Sequence, residues 1–228
     1  LIMAFGLNVS AQNVPVFYEH DKQAWVDSVF KSLSPDERLA QLFMVAAYSN
    51  KDSAHIKSLE KLIHEKKIGG LIFFQGGPIR HANMLNYLQK ASDVPLTIAM
   101  DAEWGVGMRL DSTIDYPRQM TLCAIQDNQL LYEFGAETAR QMKRLGMHVN
   151  FAPVVDVNSN AANPVIGTRS FGENKIQVAQ KGIAVMKGMQ DNKVLACAKH
   201  FPGHGDTDSD SHLTLPIIKH SYERIDSL

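Results

Sequence analysis

Short, mainly apolar runs recur along this chain, each separated from the next by a stretch with helical periodicity. LFMVAA (42–47), GGLIFF (69–74), PLTIAM (95–100), HVNFAPVV (148–155) and VLACAKHF (194–201) read as strands. Helices are expected between them, near 52–66, 78–91, 127–145 and 174–190. Strands that are apolar throughout must be covered on both faces, and intervening helices supply that cover when the strands run parallel. The rhythm therefore implies an α/β fold. Alone, it does not separate an open doubly wound sheet from a (β/α)8 barrel. No Gly-x-Gly-x-x-Gly follows the first strand and no Walker sequence occurs. Their absence lowers the nucleotide-binding option and favours the barrel.

Local signals sharpen the boundaries. Ser34-Pro35-Asp36-Glu37 has the order of a helix start: a serine cap, proline in the first turn and a glutamate able to reach back. The helix at 127–145 places Leu131, Phe134, Met142 and Leu145 on one side and ends at Gly146. With 228 residues, 45% hydrophobic and 21% charged, the chain can bury a core. A formal charge of -1 argues against a nucleic-acid partner, and no apolar run reaches the length of a transmembrane segment. Cys123 and Cys197 are too few for a disulfide scaffold and are expected as small core residues.

Residues 1–12, LIMAFGLNVSAQ, are apolar and end in small residues, like the back half of a secretory signal. The division expected is a signal remnant over 1–12 and one barrel domain over 13–228. A signal would place the mature protein outside the cytoplasm, secreted or periplasmic. A buried N-terminal strand is the alternative.

Polar residues collect where strands end. Asp101, Asp156 and the pair Lys199-His200 lie at or just past the carboxyl ends of their strands, where both parallel architectures place chemistry. The stretch KHFPGHGDTDSDSHLTLP (199–216) is dense in His and Asp. As a calcium loop starting at Asp206 it would carry Ser211 in place of the turn glycine and Ile217 in place of the bidentate glutamate, so that reading fails. As a zinc site, His200, His204 and His212 match no common ligand spacing, and Pro202, Gly203 and Gly205 forbid a helix between the first two. No metal or other cofactor is expected.

This stretch closely resembles the signature of glycoside hydrolase family 3, specifically its β-N-acetylglucosaminidase branch: Lys-His-Phe-Pro-Gly-His-Gly-x-Thr-x-x-Asp-Ser-His, then Leu-Pro. Other segments agree in order. IGGLIFF resembles the family's second barrel strand, AMDAEWGVGMR its Asp-x-Glu-x-Gly…Arg segment, and FAPVVDV with GTRSFG the next strand and loop. The resemblance runs from about residue 40 to 218.

It implies a TIM-type barrel of which about five strands are present, and a retaining exo-glycosidase acting on terminal β-linked N-acetylglucosamine. The substrate implied is a small glycan such as a cell-wall, muropeptide-type fragment. Retention needs a nucleophile and a group that is first acid, then base. In this branch the acid/base is a histidine held by an aspartate, here His212 and Asp210. Histidine suits the task because it exchanges protons near neutrality. Asp101 is implied to accept from sugar hydroxyls, and Arg109, Arg169, Lys199 and His200 to donate to them. His204 and Asp206 are expected to shape the loop, and Trp104, Met108 and Phe171 to pack. Structural roles compete: an Asp101–Arg109 ion pair, Arg169 capping a carbonyl, Lys199 neutralising buried carboxylates.

The sequence departs from the family in two places. The nucleophile implied is an aspartate in a Ser-Asp segment after the seventh strand, and nothing here matches it. Asp226 is in the wrong context and Asp156 follows an earlier strand. The rest of the barrel is therefore expected beyond Leu228, and these residues alone are expected to hydrolyse nothing. In DAEWGVGMR, the family often has two glycines and an extra arginine, leaving Arg109 as the matching arginine. Two alternatives stay open: a phosphorylase of the same family, and a sugar-binding module without catalysis.

Overall fold

A computed structural model describes residues 23–218 and 220–227. The signal-like segment 1–12 lies outside the described residues. Helices α1 (Gln23–Ser32) and α2 (Pro35–Ala40) precede the first strand, β1 (Met44–Ala47). There follow α3 (Ser53–Lys66), β2 (Gly70–Phe73), α4 (Pro78–Ala91), β3 (Thr97–Met100), the short α5 (Gln119–Leu122) and α6 (Asn128–Arg144). The chain continues through β4 (Val149–Asn150), α7 (Lys175–Asp191), β5 (Leu195–Ala196) and α8 (Tyr222–Ser227). The start of α2 forms as its sequence demands. Ser34 Oγ accepts from the Glu37 amide and Glu37 Oε2 accepts from the Ser34 amide at 2.7 Å, which satisfies two otherwise orphaned donors.

All five strands pair in parallel, and their order in the sheet is their order in sequence, β1-β2-β3-β4-β5. A doubly wound sheet reverses direction at a switch point. Here every crossover advances the same way, as in a barrel. Among the described residues, β1 and β5 each keep one unpaired edge. Leu195 on β5 is accordingly 42% exposed, whereas Leu71, Phe73, Ile98 and Met100 on the inner strands are fully buried.

The strands expected over 148–155 and 194–201 are far shorter in regular pairing, only Val149–Asn150 and Leu195–Ala196. Side-chain chemistry explains the interruption. Asn150 Oδ1 accepts from the Ala102 amide at 3.0 Å and its Nδ2 donates to the Ala102 carbonyl at 3.2 Å, so a side chain takes over from the backbone ladder. Pro153 has no N–H to offer. Irregular bonds nevertheless carry the pairing on, with Cys197 N to Ala152 O at 2.9 Å and Val155 N to Lys199 O at 2.7 Å.

The core lies between this sheet and the helices. Leu59 and Ile63 of α3, Leu85 and Leu88 of α4, Leu131 and Met142 of α6, and Val185 and Met189 of α7 are all buried against it. Burying each such side chain is worth about 1.5–3 kcal/mol. That layer fixes the strands whose carboxyl ends carry the polar residues.

Candidate active site

Past the ends of β3, β4 and β5 the chain changes from apolar to charged, and the three segments converge. They form one side of a cavity of about 600 Å³ lined by Asp101, Glu103, Arg109, Arg169, Lys199 and His200, with His212 at its edge. At its floor, Lys199 Nζ lies 2.8 Å from Asp101 Oδ1 and 2.8 Å from Glu103 Oε1. Arg169 donates from Nε to Glu103 Oε2 at 2.9 Å and from Nη2 to Oε1 at 2.7 Å. Arg109 Nη2 donates to Asp101 Oδ2 at 3.2 Å. The two carboxylates that line the cavity are thus tied to three cations, and the Arg169–Glu103 pair has the bidentate geometry that suits arginine.

Glu103 is the deepest member, its side chain 1% exposed. Burial alone would raise its pKa; the hydrogen bond from Arg169 and the charges of Lys199 and Arg169 outweigh that and hold it down to about 2. It is a permanent anion at working pH. Sequence reasoning places Glu103 inside a motif but gives it no role. The signal available is its spacing: two residues past Asp101, it leaves the strand end on the same side.

Asp156, too, has a place at a strand end in the sequence but no role there. It is 2% exposed and both of its oxygens are occupied. Oδ2 accepts from His200 Nδ1 at 2.6 Å and Oδ1 from the His204 amide at 2.6 Å. One carboxylate thereby fixes the His200 ring, leaves its Nε2 turned toward Arg169 at 3.5 Å, and anchors the start of the 199–216 loop. A carboxylate so engaged is not an available nucleophile.

The loop is built on two glycines with different reasons. Gly203 has φ +136°, a region closed to most side chains. At Gly205 a Cβ would sit 1.8 Å from the Val157 carbonyl oxygen. His204 is buried beneath and meets Thr207 Oγ1 through Nδ1. Asp206 ties the loop outward, accepting from Ser159 Oγ at 3.0 Å, His220 Nε2 at 2.9 Å and Arg224 Nη2 at 3.2 Å. At the far end His212 Nδ1 meets Asp210 Oδ1 at 2.7 Å, and the His212 amide donates to the same oxygen at 2.8 Å. Those two hydrogen bonds hold Asp210 below the usual carboxylate range. His212 itself is 74% exposed, with Nε2 free to face a bound molecule.

Each expected structural contact is therefore present. Asp101 and Arg109 pair, Arg169 Nη1 donates to the Val165 carbonyl at 3.3 Å, and Lys199 neutralises carboxylates. None of these uses every donor, so the same side chains retain hydrogen-bonding capacity toward the cavity. One expectation is corrected: Cys123 and Cys197 are half-buried instead of lying in the core, and Cys197 lines the cavity. Trp104 and Met108 are half-buried and line it too, while Phe171 is fully buried. Among the described residues, no three His, Cys, Asp or Glu side chains converge in a way that could hold a metal ion, and no helix is long and apolar enough to cross a membrane.

With this geometry in place, comparison with known proteins decides the family. The pattern described as "Glycosyl hydrolase family 3 N terminal domain" matches residues 34–228. The chain belongs to glycoside hydrolase family 3. It is 38% identical over 180 residues to Beta-hexosaminidase A of Pseudoalteromonas piscicida, covering 73% of this chain and 30% of that protein. It is 33% identical over 184 residues to Beta-hexosaminidase LpqI of Mycobacterium tuberculosis, covering 79% and 46%. The family 3 chain thus spans less than half the length of either. Among solved structures it resembles a family 3 beta-N-acetylglucosaminidase from Paenibacillus sp., with a TM-score of 0.78, 37% identity, and coverage of 86% of this chain and 38% of that one. A structure titled "Beta-glucoside phosphorylase BglX bound to 2FGlc" gives a TM-score of 0.79 at 25% identity, covering 86% and 35%.

Proposed function

We propose that the protein carrying this family 3 chain is a retaining exo-β-N-acetylglucosaminidase acting on glycans that end in β-linked N-acetylglucosamine. The observation that carries the reading is the Asp210–His212 hydrogen bond, 2.7 Å long, at the edge of a cavity floored by Asp101, Arg109, Arg169, Lys199 and His200. In it the floor binds the terminal sugar: Asp101 accepts from hydroxyls, the two arginines and Lys199 donate, and His200, held by Asp156, lines the floor beside Arg169. His212 stands where the glycosidic oxygen leaves and passes it a proton from Nε2. Asp210 holds Nδ1–H, which fixes the tautomer and stabilises the imidazolium when the proton returns from water. A carboxylate from outside the described residues serves as nucleophile. The names of the hexosaminidase relatives support the substrate class, and the signal-like residues 1–12 support action outside the cytoplasm, on peptidoglycan-type fragments.

The test is turnover of p-nitrophenyl N-acetyl-β-glucosaminide by the full-length protein, with NMR of the first-formed anomer. A β-anomer is expected; an α-anomer, or no turnover, sinks the proposal. A phosphorylase is the second reading, favoured by the likeness to BglX and by the use of histidine, which spares an incoming anion the repulsion of a carboxylate. Phosphate-dependent release of a sugar 1-phosphate would select it. Sugar binding without turnover would select a non-catalytic module.

A further inference from the structure

The cavity carries more positive charge than its floor requires. Four cations line it, Arg109, Arg118, Arg169 and Lys199, against two carboxylates, Asp101 and Glu103. Three of the cations are tied to those carboxylates. Arg118 is the fourth, and among the described residues it makes no ion pair. Its guanidinium is nevertheless held in place. Its Cζ lies 4.7 Å from the centroid of the Trp104 ring, and Nη1 donates to Thr168 Oγ1 at 3.0 Å. A planar fork fixed by a ring face and one hydrogen bond keeps most of its donors available, and little side-chain entropy remains to be lost on binding.

Its depth assigns the side of the bond it serves. The floor residues Asp101, Arg109 and Lys199 have side chains 15–18% exposed, whereas Arg118, like His212, is exposed. In a pocket that takes a terminal sugar inward, the group attached through the scissile oxygen points to the mouth, where Arg118 stands.

We infer that Arg118, positioned by Trp104 and Thr168, is a specificity subsite for an oxyanion on the acceptor side of the scissile bond. The oxyanion is either a carboxylate on the leaving sugar or a free phosphate entering as acceptor. The inference rests on the glycoside-cleaving reading above. It leaves the chemistry at the anomeric carbon unchanged and sets which acceptor group is preferred.

The experiment compares three glycosides in the full-length protein: the neutral p-nitrophenyl glycoside, a β-1,4 disaccharide whose leaving sugar carries a carboxylate ether, and the methyl ester of that disaccharide. Charge-assisted hydrogen bonds of this kind support a preference of about tenfold or more in kcat/KM for the free acid over the ester. Arg118→Met is expected to bring that ratio close to one, and Arg118→Lys to restore part of it. If phosphate is the ligand, inorganic phosphate instead accelerates turnover saturably, and Arg118→Met raises the half-saturating concentration by about tenfold. Equal losses on all three glycosides in Arg118→Met, or no acid–ester preference together with no phosphate effect in the unaltered protein, overturn the inference. The acid–ester comparison needs no variant, so misfolding cannot mask the result. Turnover of none of the glycosides would sink the parent reading instead; calorimetric binding of acid against ester would then still decide the role of Arg118.

Discussion

Arg169 grips Glu103 through two parallel hydrogen bonds, 2.9 Å and 2.7 Å long, and Lys199 reaches the same carboxylate at 2.8 Å. One buried anion thus sets the position of two cations that face the cavity. Glu103→Gln keeps the volume but replaces a shared charge by a neutral amide. The expected outcome is a fall of about a hundredfold in kcat/KM on the aryl glycoside, from loss of about 3 kcal/mol of charge-assisted positioning. Because Glu103 acts through its neighbours, Arg169→Ala added to Glu103→Gln should cost far less than Arg169→Ala alone. Full additivity would refute the positioning role.

The same residue predicts a pH dependence. Its folded pKa of about 2 lies below the ordinary 4.5, so its contribution to stability is complete above pH 4.5 and is lost as the pH falls toward 2. The unfolding free energy of the unaltered protein should exceed that of Glu103→Gln by about 3 kcal/mol near pH 6, with the gap closing in acid. Urea unfolding of both proteins at pH 6, 4 and 3 measures it. A gap that stays constant contradicts the linkage.

A proton donor is needed most where the leaving group is poor. His212→Ala is expected to lower kcat/KM by about a thousandfold on a disaccharide and by no more than about tenfold on a dinitrophenyl glycoside. Asp210→Ala should follow the same pattern with smaller losses, since it removes the partner that orients the ring. Equal losses on good and poor leaving groups would rule out His212 as the acid.

The loop's glycines make a steric prediction. In Gly205→Ala the new methyl would meet the Val157 carbonyl at 1.8 Å, so the loop base must shift. A destabilisation of about 1–3 kcal/mol is expected, with a larger loss of activity than of stability because His212 rides on that base. Thermal unfolding and kcat on the same preparation check both.

His81, on α4, is fully buried against Phe73 with ring centroids 4.2 Å apart. Burial lowers its pKa to about 4, although a hydrogen bond to the Leu145 carbonyl opposes the shift. The unfolded chain therefore binds a proton that the folded one refuses between pH 6.5 and about 4, and stability falls across that window as the pH drops. His81→Gln keeps a donor for Leu145 and should flatten the decline by about 3 kcal/mol. An unchanged slope in urea unfolding would show that another group is responsible.

Much of this is legible without coordinates. The helix cap at Ser34 and the stop at Gly146, which takes φ +76°, follow from chemistry within a few residues. So do the order of strands and helices and the density of His and Asp over 199–216. The roles of Glu103, Asp156 and Arg118 are not legible in that way. Each depends on partners 44 to 66 residues away or on the ring of a neighbouring loop, and local pattern carries no such information.

By itself, the sequence determined the parallel α/β class, the strand ends at which polar residues gather, and the motif that carries family membership. Those are properties of hydrophobic period, turn residues and residue order, all short in range. Tertiary structure alone decided that the sheet advances in one direction, that Lys199 bridges Asp101 and Glu103, and that Trp104 lines the cavity. The physical reason is that charge pairing and burial depend on distance in space. Here that distance is set where three separately encoded strands end side by side.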